Sequence, residues 1–203
     1  MPLAEQAVRR PMQQDRIEWN RRYRQETFSA EPAAIVRAHA HRAPVGRALD
    51  VACGNGRNAC YLARLGFSVD AVDIAAEGLK RFACTPVGIQ RICADLDHFD
   101  VPQGRYGLII NVRYLNRRRL PDLQDGLAPG GVLIFESYLN VPARTPSGRH
   151  RADHLLEPGE LRRAFRALNI IDYREHPGLQ PEAPPMKASL VASRPGAPPG
   201  PVP

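Results

Sequence analysis

Short apolar runs recur along the chain, and most are followed by a segment whose apolar positions return at a helical interval. "GRALDVA" (46–52), "FSVDAVDI" (67–74), "GIQRICADL" (88–96), "YGLIINV" (106–112) and "VLIFESYL" (132–139) read as strands, the fourth apolar enough to be central. Between them "RNACYLARLG" (57–66), "AAEGLKRFAC" (75–84) and "RRRLPDLQDGL" (117–127) read as helices, the first closed by Gly66. "PGELRRAFRAL" (158–168) predicts a further helix, and "NIIDYREH" (169–176) with "KASLVAS" (187–193) predicts two strands joined by a Pro-rich connector. Ahead of all this, residues 15–27 place Ile17, Trp19 and Tyr23 at helical spacing, and Pro32 suits the first turn of a second helix.

The resulting order, βαβαβαβαβαββ, predicts an α/β fold: a three-layer, doubly wound, seven-stranded, mostly parallel sheet that ends in a C-terminal β-hairpin. Residues 1–194 are expected to form one domain, with 1–45 as a helical lid region. Residues 195–203, almost all Pro and Gly, are expected to be a disordered tail.

Composition narrows the class. A hydrophobic share of 43% is that of a globular protein. No stretch approaches the ~20 apolar residues of a membrane span, and the N-terminal segment carries no secretory core, so a protein without membrane contact is expected. The four cysteines stand 7, 24 and 9 residues apart, a spacing that suggests neither a zinc site nor a disulfide framework and so predicts a reducing, cytoplasmic setting. The net charge of +7, carried by 28 basic residues that are nearly all Arg, favours anionic partners without choosing among them.

The informative turn is "LDVACGNGRNA" (49–59). Gly54 and Gly56 follow a strand directly, where a ligand can approach the backbone without meeting a Cβ. Asp73, 23 residues after Asp50, ends the next strand and suits a ribose diol. "GNGRNA" also fits the GxGxxA of nicotinamide and flavin folds. Against that reading stand Asp50 within the strand, a further acid, Asp95, ending the third strand, and "LAPGG" (127–131) before the fifth.

These features resemble the class I S-adenosylmethionine-dependent methyltransferases from Ala48 to Ser193: "LDVACGNGRN" their first motif, "AVDI" their second, "CADL" their third and "LAPGG" the turn before their fifth strand. "W-x3-Y", "GRN" and "RYLNRRRLPDL" most resemble the small bacterial tellurite-resistance and thiopurine-type members. The resemblance implies a Rossmann-like methyltransferase fold with S-adenosylmethionine as cofactor. It puts Asp50, Ala52, Gly54, Gly56 and Asn58 around the methionyl moiety, Asp73 on the ribose, Ile74 and Leu96 against the adenine, Asp95 on its amino group and Asn111 beside the acceptor. Asn58 departs from the family, many of whose members have a third glycine there.

Acceptor contacts are expected from Arg113 and Tyr114 after strand four, Glu136 after strand five and Tyr23 in the N-terminal helix. An Arg fork can clamp an oxyanion, and it can equally cap a strand or pair with Glu136. Arg117, Arg118 and Arg119 read as a solvated helix start ahead of an anion site, and Trp19 and Tyr23 as a lid or as ordinary packing. "NVRY" (111–114) stands where amino-group methyltransferases of nucleic-acid bases carry Asn-Pro-Pro-Tyr, but both prolines are missing. His150 and His154 share a metal-like spacing without a third ligand, so no metal is expected. Cys53 and Cys60 read as small buried hydrophobes. The expected activity is methyl transfer to a small soft or anionic nucleophile, such as a thiol, a tellurite- or selenite-like oxyanion or a small metabolite, by a monomer or weak homodimer. A nucleic-acid base methyltransferase and a non-catalytic S-adenosylmethionine-binding protein are the alternatives.

Overall fold

An apolar run with no polar face needs cover on both sides, and Tyr106–Val112 obtains it as a strand whose every residue is buried. The structure, a computed structural model, describes residues 12–82, 84, 87–140, 152–176 and 186–196. Its strands are β1 (Arg47–Val51), β2 (Ser68–Asp73), β3 (Ile89–Cys93), β4 (Tyr106–Val112), β5 (Leu127–Tyr138), β6 (Asn169–His176) and β7 (Lys187–Ser193). They form one seven-stranded sheet in the order β3-β2-β1-β4-β5-β7-β6. All neighbours run parallel except β7, which is antiparallel to both β5 and β6. This is the expected doubly wound sheet with its C-terminal hairpin.

The helices are α1 (Met12–Gln25), α2 (Ala34–His39), α3 (Arg57–Arg64), α4 (Ala76–Leu79), α5 (Leu120–Gly126) and α6 (Glu160–Ala164). Alternate residues of the central strands feed two cores. Leu49, Ile109, Leu133 and Phe135 pack with Leu123, Leu161 and Phe165 on one face. On the other, Ala48, Leu108, Ile110 and Ile134 pack with Val36, Ala59 and Leu62. Because β1 lies between β2 and β4, the strand order reverses there, and a crevice opens at the carboxyl edge.

Three sequence expectations need correction. The helix expected over 75–84 is confined to Ala76–Leu79, since Phe82 crosses to Gly56 and Cys84 to Cys60. The β3-to-β4 connection carries no helix; its polar residues form turns, with Gly104 at φ +63°. Cys60 and Cys84 are disulfide-bonded, with Cα atoms 5.9 Å apart, whereas Cys53 and Cys93 are free. The pairing joins α3 to the segment after α4, a tertiary proximity that residue spacing does not encode. The reducing, cytoplasmic setting inferred from cysteine spacing loses that support. Among the described residues no helix is long and apolar enough to cross a membrane. Most of the expected tail lies outside the described residues.

Candidate cofactor and acceptor site

The chain leaves β1 through a turn in which Ala52, Gly54 and Gly56 have φ of +52°, +59° and +73°. A left-handed conformation costs an L residue about 1–2 kcal/mol, which glycine avoids and Ala52 bears. The turn is fastened to β2: the Gly54 amide donates to Asp73 Oδ2 at 2.8 Å, and the Ala75 amide to Asp73 Oδ1 at 2.8 Å. Burial pushes the Asp73 carboxyl upward against these two donors. Each carboxylate oxygen thus spends one lone pair on a backbone amide and keeps another for a further donor, as a diol requires.

Space above the glycines is taken by aromatic rings. A Cβ on Gly54 would collide with the Tyr23 hydroxyl, and one on Gly56 with the Phe82 ring. A Cβ on Gly78 in α4 would lie 2.9 Å from the same Tyr23 ring. Tyr23 reaches this position because α1 docks on α4, the Glu77 amide donating to Asn20 Oδ1 at 2.9 Å. Phe28 backs its ring with centroids 4.4 Å apart. Burial and the nearby Asp73 charge push the Tyr23 phenol upward, so it stays protonated. Trp19 instead remains 39% exposed with the Arg22 guanidinium over its ring, so of the two α1 aromatics Tyr23 is the one that covers the turn.

Asp50 is the anomaly. It is 1% exposed, and among the described residues neither carboxylate oxygen has a hydrogen-bond partner. Burial raises its pKa to about 8, with Asp73 adding to the rise and the Ala59 backbone and Arg57 opposing it. A buried carboxyl without a hydrogen-bond partner is costly, and a cation brought beside it would relieve the cost. The methionyl ammonium of S-adenosylmethionine is such a cation, so these residues fit that group, provided Tyr23 yields the space over Gly54.

The other expected cofactor residues scatter by role. Asp95 accepts from the Asp97 amide at 2.9 Å and lies 3.4 Å from His98 Nδ1. Ile74 is half-buried just beyond Asp73, and Leu96 is buried against the core. The buried Asn111 amide donates to the Tyr114 carbonyl at 2.7 Å. Asn58 is turned away from the crevice, its Oδ1 accepting from the Ala33 amide at 2.9 Å. Cys53 is buried and its thiol pushed well upward by burial, which leaves it unreactive.

On the acceptor side the structure brings Arg113 and Glu136 together without pairing their charges. Arg113 is exposed at φ +65°, its amide donating to the Glu136 carbonyl at 2.7 Å. The Glu136 carboxylate lies 3.0 Å from Lys187 Nζ instead. Tyr114 does not join them. Its hydroxyl accepts from Asn116 on the β3 side, and burial lifts its pKa to about 12. The Arg run leads into α5 with Arg117 and Arg118 exposed, as expected of a helix start, while Arg117 grips Glu160 at 2.7 Å and the carbonyls of Asp153 and Leu155, and Arg119 pairs with Asp122 at 2.8 Å.

Sequence reasoning missed two residues here. Arg57, next to Gly56 in "GNGRN", is half-buried at the start of α3 and could have been noticed from that position. Lys187 enters only through the antiparallel pairing of β7 with β5. Among the described residues no group of three or more His, Cys, Asp and Glu is arranged to hold a metal. His150 lies outside them.

Comparison with known proteins follows the same outline. A family model described as a methyltransferase domain matches residues 20–182. TehB from Haemophilus influenzae superposes with a TM-score of 0.66 at 19% identity, over 88% of this chain and 66% of that one. An S-adenosylmethionine-dependent methyltransferase from Mesorhizobium loti gives 0.64 at 22% identity, over 82% and 100%. The Burkholderia thailandensis 1,6-didemethyltoxoflavin-N1-methyltransferase, solved with its substrate and S-adenosylhomocysteine, gives 0.64 at 17% identity, over 95% and 93%. A comparison with curated protein sequences gave no match.

Proposed function

The chain belongs to the methyltransferase-domain family, and from that premise we propose that it transfers the methyl group of S-adenosylmethionine to a small soft or anionic nucleophile. The observation that carries the reading is the buried, unpartnered Asp50 carboxylate behind a glycine turn that Asp73 fastens to β2. Asp50 balances the methionyl ammonium, and the Gly54–Gly56 backbone lets the cofactor approach. Asp73 accepts from the ribose hydroxyls, Ile74 and Leu96 flank the adenine and Asp95 accepts from its amino group. Asn111 borders the methionyl side.

The sulfonium supplies an activated methyl group, so the protein's task is alignment in a water-poor cleft. Tyr23 and Phe82 pack on the turn, and moved aside by the cofactor they would wall it from water. A thiolate or an oxyanion of the tellurite or selenite kind needs no general base, which accords with a site where Arg113 stands beside a Glu136 already paired with Lys187. The tellurite-resistance and thiopurine-type resemblance of the sequence supports that acceptor class. The nucleic-acid base reading has less support, because Asn111 is bonded to the Tyr114 carbonyl and Tyr114 turns toward β3.

Purified protein incubated with S-adenosylmethionine and, separately, tellurite, selenite or an aromatic thiol tests this reading. S-Adenosylhomocysteine formed only in the presence of an acceptor supports it. Cofactor binding without turnover across a broad acceptor panel would favour a non-catalytic binding protein.

A further inference from the structure

Beyond the backbone itself, a bond between two sulfurs fastens the segment after α4 to α3. Cys84 is joined to Cys60 across a separation of 24 residues. Cys60 is buried and Cys84 half-buried, so the pair is open to a reductant from the Cys84 side. Two residues before Cys84, the Phe82 ring lies against Gly56, on the ground that a Cβ there would take, with the Arg91 guanidinium 5.8 Å from its centroid.

The same segment is the bearing on which α1 rests. The Arg81 guanidinium donates to the Glu26 and Arg24 carbonyls at 3.0 and 3.4 Å, and the Glu77 amide donates to Asn20 Oδ1. Tyr23 of α1 in turn fills the space over Gly54 and Gly78. Single hydrogen bonds of this kind contribute about 0.5–1.5 kcal/mol each and exchange readily with water. The disulfide does not exchange until it is reduced. Two aromatic rings thus occupy the glycine turn that leads to Asp50, and one covalent bond fixes the segment that carries the first and supports the second.

We propose that the Cys60–Cys84 disulfide is a redox latch on the cofactor site. Oxidised, it holds Phe82, and through α4 Tyr23, over the glycine turn; reduced, it releases them and admits S-adenosylmethionine. This rests on the methyltransferase reading and adds a control to it. The reductant is a dithiol. Its thiolate attacks the Cys84 sulfur and expels the Cys60 thiolate, which takes a proton; its second thiol then displaces Cys84. Two electrons and two protons pass to the protein, and the dithiol leaves as a disulfide.

The test uses the full chain in two states, oxidised and reduced with dithiothreitol. Thiol counting after unfolding defines them, since Cys53 and Cys93 are free in both. In calorimetric titration the reduced form is expected to bind S-adenosylhomocysteine about tenfold more tightly than the oxidised form. Cys84→Ser, which cannot close the bond, should bind like the reduced form under either condition. Phe82→Ala should raise the affinity of the oxidised protein too, an effect that a disulfide serving only to stabilise the fold would not produce. Trp19, the one tryptophan of the chain, has its ring 6.0 Å from Tyr23 and reads the release of α1 without any ligand. Its fluorescence anisotropy should drop on reduction. Equal affinity in the two states, tighter binding by the oxidised form, or a reduced protein that no longer melts cooperatively overturns the proposal. Binding by neither state with the Trp19 response intact would instead sink the methyltransferase reading and leave the latch in place; binding by neither state without that response overturns both.

Discussion

Along the carboxyl edge, the ends of β1, β2 and β3 carry Asp50, Asp73 and Asp95, whereas the ends of β4, β5 and β7 carry Arg113, Glu136 and Lys187, with Arg57 leaning in from α3. The acidic half is tightly built. Asp73 and Asp95 accept from backbone amides within or beside their own turns, and Tyr23 seals the glycines. The cationic half is built from side chains that meet only across strands, as Lys187 of β7 meets Glu136 of β5. The cofactor's ammonium and ribose hydroxyls suit the first half, and an anionic acceptor suits the second.

Gly54→Val should break the acidic half most severely. It adds a branched side chain at φ +59° where the Tyr23 hydroxyl already lies, so S-adenosylhomocysteine affinity in a calorimetric titration should fall by on the order of a hundredfold. Asp73→Ala comes next, with a loss of roughly 1–3 kcal/mol in cofactor affinity from the ribose hydrogen bonds. It also strips the Gly54 and Ala75 amides of their acceptor, so its melting temperature should drop as well. Unchanged affinity would show that the ribose lies elsewhere.

Arg113→Ala sharpens the comparison from the other side: turnover with an anionic acceptor should fall about tenfold while cofactor affinity holds. If cofactor affinity alone suffers, the two halves are not separate. The last effect is on stability and concerns protons. Asp50 holds its proton in the folded protein up to about pH 8, whereas in the unfolded chain it ionises near pH 4. The native state therefore binds the extra proton between those values, and this group's contribution to stability declines as pH rises across the window and is level above it. Asp50→Asn should remove that decline in a series of thermal melts. Below pH 8 the wild type should also release up to about one proton on taking up the cofactor's ammonium, seen as a binding enthalpy that depends on the buffer.

The acidic half was legible in the sequence because its parts are local. A strand end, two glycines and an acid one strand later stand at spacings that the βαβ connection imposes, so Asp50, Gly54, Gly56 and Asp73 could be read in order. Asn58 was misleading for a physical reason: a polar residue beside a glycine turn looks directed at a ligand, yet its side chain secures Ala33 ahead of α2. The cationic half depended on strand order. Nothing in "NVRY" says that Tyr114 turns to Asn116 while Arg113 stays exposed, and Lys187 is brought to Glu136 only by insertion of β7 between β5 and β6. The Cys60–Cys84 pairing and the shortness of α4 share one cause, a segment that folds back on α3 where helical periodicity predicted continuation.

The central claim is that the acidic half of the edge is an S-adenosylmethionine site. Parallel calorimetric titration of the purified protein with S-adenosylhomocysteine and with NAD tests it most directly. The account predicts saturable binding of the first, with proton release below pH 8, and none of the second; binding of NAD alone would contradict it.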